Sequence, residues 1–83
     1  MNYEMSQHAA TVIAERDIRV SWLERALHQP NRVEPDRHDP ELTHHLVIIP
    51  EHGDRVLRVV LNNRVAPVRI VTLFFDRKMK GQL

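Results

Sequence analysis

The sequence predicts an α+β fold, two N-terminal helices packed on a small antiparallel β-sheet. Three observations predict it. The N-terminal part carries apolar residues at helical spacing. The C-terminal part carries β-rich runs, "LTHHLVII", "RVLRVVLN" and "VRIVTLFF". Short segments separate those runs, and links of that length join antiparallel neighbours, because a parallel pair needs a long crossover.

Each element follows from local chemistry. "SQHAATVIAER" reads as the first helix, with Ser6 as its N-cap. Ala9, Val12, Ile13 and Arg16 form one stripe, in which Arg16 lays its stem on the core and its head at the edge. Asp17-Ile18-Arg19 is long enough only to turn. "VSWLERALHQP" reads as the second helix, with Ser21 and Glu24 spaced as a capping box and Pro30 as the stop. Trp22, Leu23, Ala26 and Leu27 supply its apolar face. A short strand is expected through Val33, then a polar loop "PDRHDPE". "EHGD" supplies the turn residues of a hairpin, and "NRVAP" the next connection. In the last run, Val68/Ile70/Thr72/Phe74 and Arg69/Val71/Leu73/Phe75 are both largely apolar, which predicts a central strand. A further strand is expected at Asn2 to Met5.

Eighty-three residues predict a single domain over 1–83. With no cysteine, there is neither a disulfide nor a thiolate metal site, which fits a cytoplasmic protein. No apolar run follows a basic start, so no signal peptide is expected. The longest apolar stretches, such as Leu46 to Ile49, are too short for a bilayer, so no membrane association is expected. The net charge of +1 hides an asymmetry. Residues 1–41 carry five arginines against eight acids, and residues 42–83 carry seven cations against three acids. The basic half suits an anion such as RNA or an acidic partner; equally, the two halves neutralise each other in the fold.

The six histidines offer no metal frame. His44 and His45 are adjacent on a strand and point to opposite faces, no pair stands at i, i+4 on a helix, and a chance surface distribution is the better reading. No metal or other cofactor is expected. Two glycines exclude the glycine-rich phosphate loops, and the two serines, Ser6 and Ser21, are both read as caps. The candidates left are His8, Arg16, Asp76 and Arg77. A neutral histidine beside a fixed arginine suits RNA cleavage: the imidazole accepts the 2′-hydroxyl proton and the guanidinium holds charge building on the phosphate. The structural alternative has His8 filling the helix edge and Arg16 bonding a strand end or Asp76. Arg58, Arg69, Lys78 and Lys80 are the candidate nucleic-acid contacts, which would position phosphates without reading sequence. Aromatic residues are few, and no stacking platform is evident.

His8-Ala9, Arg16 with Ile18, and Ala26-Leu27-His28-Gln29-Pro30 together resemble a family of small bacterial and archaeal domains of unknown function. The resemblance extends along almost the whole chain, most specifically in "IPEHGDRVLRVV" and "FFDRKMKG". Asp17 stands where that family often has Gly, and Asp tolerates the left-handed turn. The family is in turn similar to toxins of the RelE and BrnT type, ribonucleases that pair with an antitoxin. The resemblance implies that fold, an RNA substrate and an antitoxin partner. Two readings follow: a RelE/BrnT-like ribonuclease toxin, and a non-catalytic protein- or RNA-binding module on the same scaffold. Under both, the apolar strand faces point to a partner, a second copy (a homodimer) or an antitoxin helix.

Overall fold

The computed structural model describes residues 2–83. The chain runs β1 (Tyr3–Met5), α1 (Gln7–Arg16), α2 (Val20–His28), β2 (Arg32–Pro35), β3 (Thr43–Ile49), β4 (Arg55–Asn62) and β5 (Val68–Phe75). Single 3₁₀ turns lie at Pro50–His52 and Arg77–Met79. The sheet has five strands in the order β1-β5-β4-β3-β2. It is antiparallel except for β1, which pairs parallel with β5 through Tyr3–Val68, Glu4–Arg69 and Met5–Ile70. The expected purely antiparallel sheet is thus a mixed one. A parallel edge strand is possible here because α1, α2 and three further strands lie between β1 and β5 in sequence.

Both helices cover one face. Ala9 of α1, Ile18 of the link, and Trp22, Leu23, Ala26 and Leu27 of α2 pack on Val47 and Ile49 of β3, Leu57, Val59 and Leu61 of β4, and Ile70 and Leu73 of β5. Burying side chains of this size stabilises by about 1.5–3 kcal/mol each before chain entropy is counted.

The helix boundaries have local causes. Ser6 caps α1, its Oγ accepting from Ala9 N–H at 3.0 Å. Asp17 ends the helix in the left-handed region at φ 52° and ψ 42°, and Ile18 N–H closes back on the Ile13 carbonyl at 3.1 Å. Ile18 is buried by that closure. The turn is so short that α2 begins at Val20 with Arg19 as its N-cap and no side-chain cap bond. The expected Ser21/Glu24 capping box is therefore not formed, because Ser21 already lies inside the first turn.

In β5, the register against β4 slips between Val60 and Leu61, so Val60 faces Thr72 while Leu61 faces Ile70, and Val71 is the extra residue. The slip corrects the expected face assignment. Ile70 and Leu73 both enter the helix-side core, as strict alternation would forbid. The two apolar faces read from the sequence are one core face whose parity changes at a bulge. The strand is interior, lying between β1 and β4.

Candidate functional site

β1 pairs only with residues 68–70 of β5, so β5 continues past its end. Ser6 turns the chain there: its N–H donates to the Ile70 carbonyl at 2.9 Å and its hydroxyl to the Val71 carbonyl at 2.8 Å. These bonds start α1 beside the free end of β5. Between them lies an open groove of about 870 Å³. His8, Val12, Glu15 and Arg16, one face of α1, form one wall. Residues 72–76 form the other. Its far end is closed by His52 and Arg55 from the β3–β4 hairpin and by Arg77 and Lys80 from the tail.

His8 is exposed, with Nε2 3.1 Å from Thr72 Oγ1. Arg16, Arg55, Arg77 and Lys80 are without a carboxylate at salt-bridge distance among the described residues. His52 stands against two aromatic rings, 5.0 Å from Trp22 and 4.8 Å from Phe75 between centroids. Its turn is tied to α2 by a two-pronged Arg25–Glu51 pair at 2.9 and 2.7 Å. That pair holds the Glu51 carboxyl down at about 2.

The opposite face of the sheet carries a different cluster. Arg58 is its hub, donating from Nε to Asp76 at 2.9 Å and from one terminal nitrogen to Glu34 and to His44 Nδ1, both at 2.8 Å. An arginine only donates, so Nδ1 accepts and the His44 proton sits on Nε2, which faces Asp36 at 2.7 Å. Backbone N–H groups of Asp39 and His38, with His44, hold the Asp36 carboxyl at about 2. Burial opposes the charge on Arg58, but Glu34 and Asp76 outweigh it and raise its pKa. The Arg58 hydrogen bond lowers that of Glu34.

The structure brings His8, Arg16, Asp76 and Arg77 to one groove, with Lys80. Asp76 lines it with its carboxylate engaged, since Oδ2 accepts from Arg58 and Oδ1 from Lys78 N–H at 3.1 Å. Arg16 does not bond Asp76, whose ion-pair partner is Arg58. Arg58 lies in the opposite-face cluster, Arg69 is 3.5 Å from Glu4 beside β1, and Lys78 is outside the groove lining. His44 and His45 do point to opposite faces, but neither is a chance surface residue. Both are half-buried and bonded, His45 Nδ1 to the Ala26 carbonyl of α2 at 2.9 Å. Sequence reasoning missed Arg55, His52 and Thr72. Arg55 had a signal, a cation directly after the Gly53-Asp54 turn; Thr72 had none, because its neighbourhood depends on the bulge.

Among the described residues no helix is long and apolar enough to cross a membrane, and no group of three or more His, Cys, Asp or Glu side chains is placed to hold a metal ion. No curated protein and no solved structure matches the chain. Residues 5–75 match the family model described as a domain of unknown function, DUF4258, and the chain belongs to that family.

Proposed function

We propose that the groove between α1 and β5 is the RNA cleft of a RelE/BrnT-like ribonuclease toxin. The observation that carries this reading is the convergence of exposed His8 with unpaired Arg16 and Arg77 on one open groove. The layered fold supports the likeness to those toxins, and the residue pattern of α1 and the tail is that of the domain family, which resembles them in fold.

In this reading the imidazole of His8 takes the proton of a ribose 2′-hydroxyl. The 2′-oxygen attacks the adjacent phosphorus, and the bond to the 5′-oxygen breaks. The products are a 2′,3′-cyclic phosphate and a 5′-hydroxyl, whose proton comes from water. Arg16 and Arg77 hold the charge that grows on the non-bridging oxygens. Thr72 fixes the imidazole through its hydroxyl. Asp76 acts as an anchor for the tail, because both its oxygens are engaged. An antitoxin would neutralise the domain by covering the same groove with acidic side chains.

The test is inducible expression in a bacterial host, following growth and total RNA beside His8→Ala and Arg77→Ala. Arrest with RNA loss, cured by either substitution, is the expected result. Purified, folded protein that leaves free RNA and ribosome-bound message intact would sink the proposal. The second reading, a non-catalytic binding module, is favoured by the engaged carboxylate of Asp76. It predicts RNA or protein binding at the same groove without cleavage.

A further inference from the structure

We propose that Arg58 and Asp76 are positioning residues for a phosphate-binding end of the groove, made by Arg16, Arg55, Arg77 and Lys80. The inference rests on the groove being an RNA cleft, and it names which part of the ligand that end takes. Arg55 belongs to this end, and Arg58 acts on the ligand only through Asp76.

The tail does not hold itself. Arg77–Met79 is a single 3₁₀ turn, a conformation with no stability of its own at that length. What fixes it is Asp76. Its N–H donates to the Val56 carbonyl at 2.9 Å and its carbonyl accepts from Met79 N–H at 3.1 Å. Its side chain caps the turn through Lys78 N–H at 3.1 Å and meets Arg58 Nε at 2.9 Å. Arg58 is itself fixed, with a side chain only 12% exposed and two further bonds to Glu34 and His44. The chain of contacts therefore runs from β2 and β3, through the opposite face of the sheet, to the turn that carries Arg77 and Lys80 into the groove.

The placement has an electrostatic cost. Four cations share one groove with Glu15 and Asp76, and among the described residues none of the four has a carboxylate at salt-bridge distance, so an excess of positive charge stays there until an anion arrives. Asp76 lies beside them but its charge is drawn to Arg58 on the other side. Cations held in this way suit a phosphodiester: three arginines offer planar forks that match its oxygens, and the lysine adds a point charge. A neutral ligand gains nothing from this excess of cations, and a cationic one is repelled by it.

The experiment measures binding of a fluorescein-labelled 12-nucleotide oligouridine across a salt series, with amide hydrogen exchange of the RNA-free protein alongside. The variants are Asp76→Asn, Glu34→Gln and Arg77→Ala/Lys80→Ala, each checked for folding by urea titration. Removing two phosphate contacts lowers the slope of log affinity against log salt by about 1.4 for a single strand. That loss is expected for the Arg77→Ala/Lys80→Ala pair. Asp76→Asn, which removes the charge that draws Arg58 and leaves one acceptor oxygen where Arg58 and the Lys78 amide need two, lowers the slope by a similar amount and speeds exchange at the Lys78 amide. Added to the pair, it lowers the slope no further, since it acts through the same two cations. Glu34→Gln leaves the slope unchanged, because the Arg58–Asp76 bond remains. Asp76→Asn with an unchanged slope, or with a further drop on top of the pair, overturns the proposal. So does a wild-type protein that does not bind the oligouridine. Binding without cleavage overturns the His8 chemistry and leaves this inference standing.

Discussion

The two polar clusters of this protein use the same residue types to opposite ends. On the helix-free face of the sheet, Arg58 has an acceptor for each hydrogen bond it makes, in Glu34, His44 and Asp76. In the groove across the edge of β5, Arg16, Arg55, Arg77 and Lys80 have no carboxylate partner among the described residues. A buried charge must be paired or the fold loses several kcal/mol, so stability accounts for the pairing in the first cluster. An exposed cation needs no partner, but four in one concavity outnumber the Glu15 and Asp76 carboxylates that share it, and the excess charge works against the fold. Stability does not explain the second cluster; the anionic ligand proposed above would.

His8 separates the two clusters most strongly. If the groove is catalytic, His8→Ala lowers the rate of RNA cleavage by about 10²–10⁴-fold. The same substitution leaves the unfolding free energy from urea titration within about 0.5 kcal/mol of wild type, because His8 is an exposed residue with one side-chain bond. A variant that loses stability and activity together would make His8 a structural residue like Arg58.

Arg58→Ala reverses the pattern. It orphans Asp76, Glu34 and the acceptor nitrogen of His44. The expected cost is about 2–3 kcal/mol in urea denaturation, below the full figure for a buried pair because the Glu34 side chain is 37% exposed. Arg16→Ala is its counterpart in the groove. Arg16 is exposed and unpaired, so its removal shifts stability by less than about 0.5 kcal/mol while weakening oligouridine binding. Equal stability losses from Arg58→Ala and Arg16→Ala would erase the distinction between the clusters.

How much of this could be read in the sequence divides along the same line. Ser6 as a cap and Asp17 as a left-handed terminus act within one helical turn, so adjacent residues announce them. The apolar stripe of α2 was legible for the same reason. Ser21 misled because the tight Asp17–Arg19 turn, closed by buried Ile18, starts α2 too early for the box. The bulge at Val71 was invisible, since an extra residue in a run of apolar side chains leaves no mark in the pattern. His8, Arg16, Asp76 and Arg77 meet because α1 starts beside β5, as Ser6 bonding Val71 dictates. Their co-location was readable from chain order, whereas the partners of Arg58 depend on strand register across three strands. Register is a long-range property that single residues do not encode.

The smallest effect sharpens the comparison through acid. Asp36 and Glu51 both titrate at about 2, below their ordinary values of 3.8 and 4.5, so each contributes stability that is complete above its ordinary value and lost as pH falls toward 2. The causes differ. Glu51 is lowered first by the Arg25 side chain, so Arg25→Met returns it toward its ordinary value and flattens the fall in stability between about pH 4.5 and 2. Asp36 is lowered first by the backbone N–H of Asp39, with His44 second and His38 N–H third. His44→Gln therefore leaves most of the Asp36 shift in place, and urea midpoints taken between pH 5 and 2 keep most of their wild-type slope. If His44→Gln flattened that slope as fully as Arg25→Met does, the loop at Asp36 would be held by the histidine rather than by its own backbone. The opposite-face cluster would then be a side-chain network from end to end, and its rigidity would hang on one imidazole. With the slope kept, the cluster has a backbone-bound acid at one end and a capped tail at the other, and His44 and Arg58 are the side chains that join them.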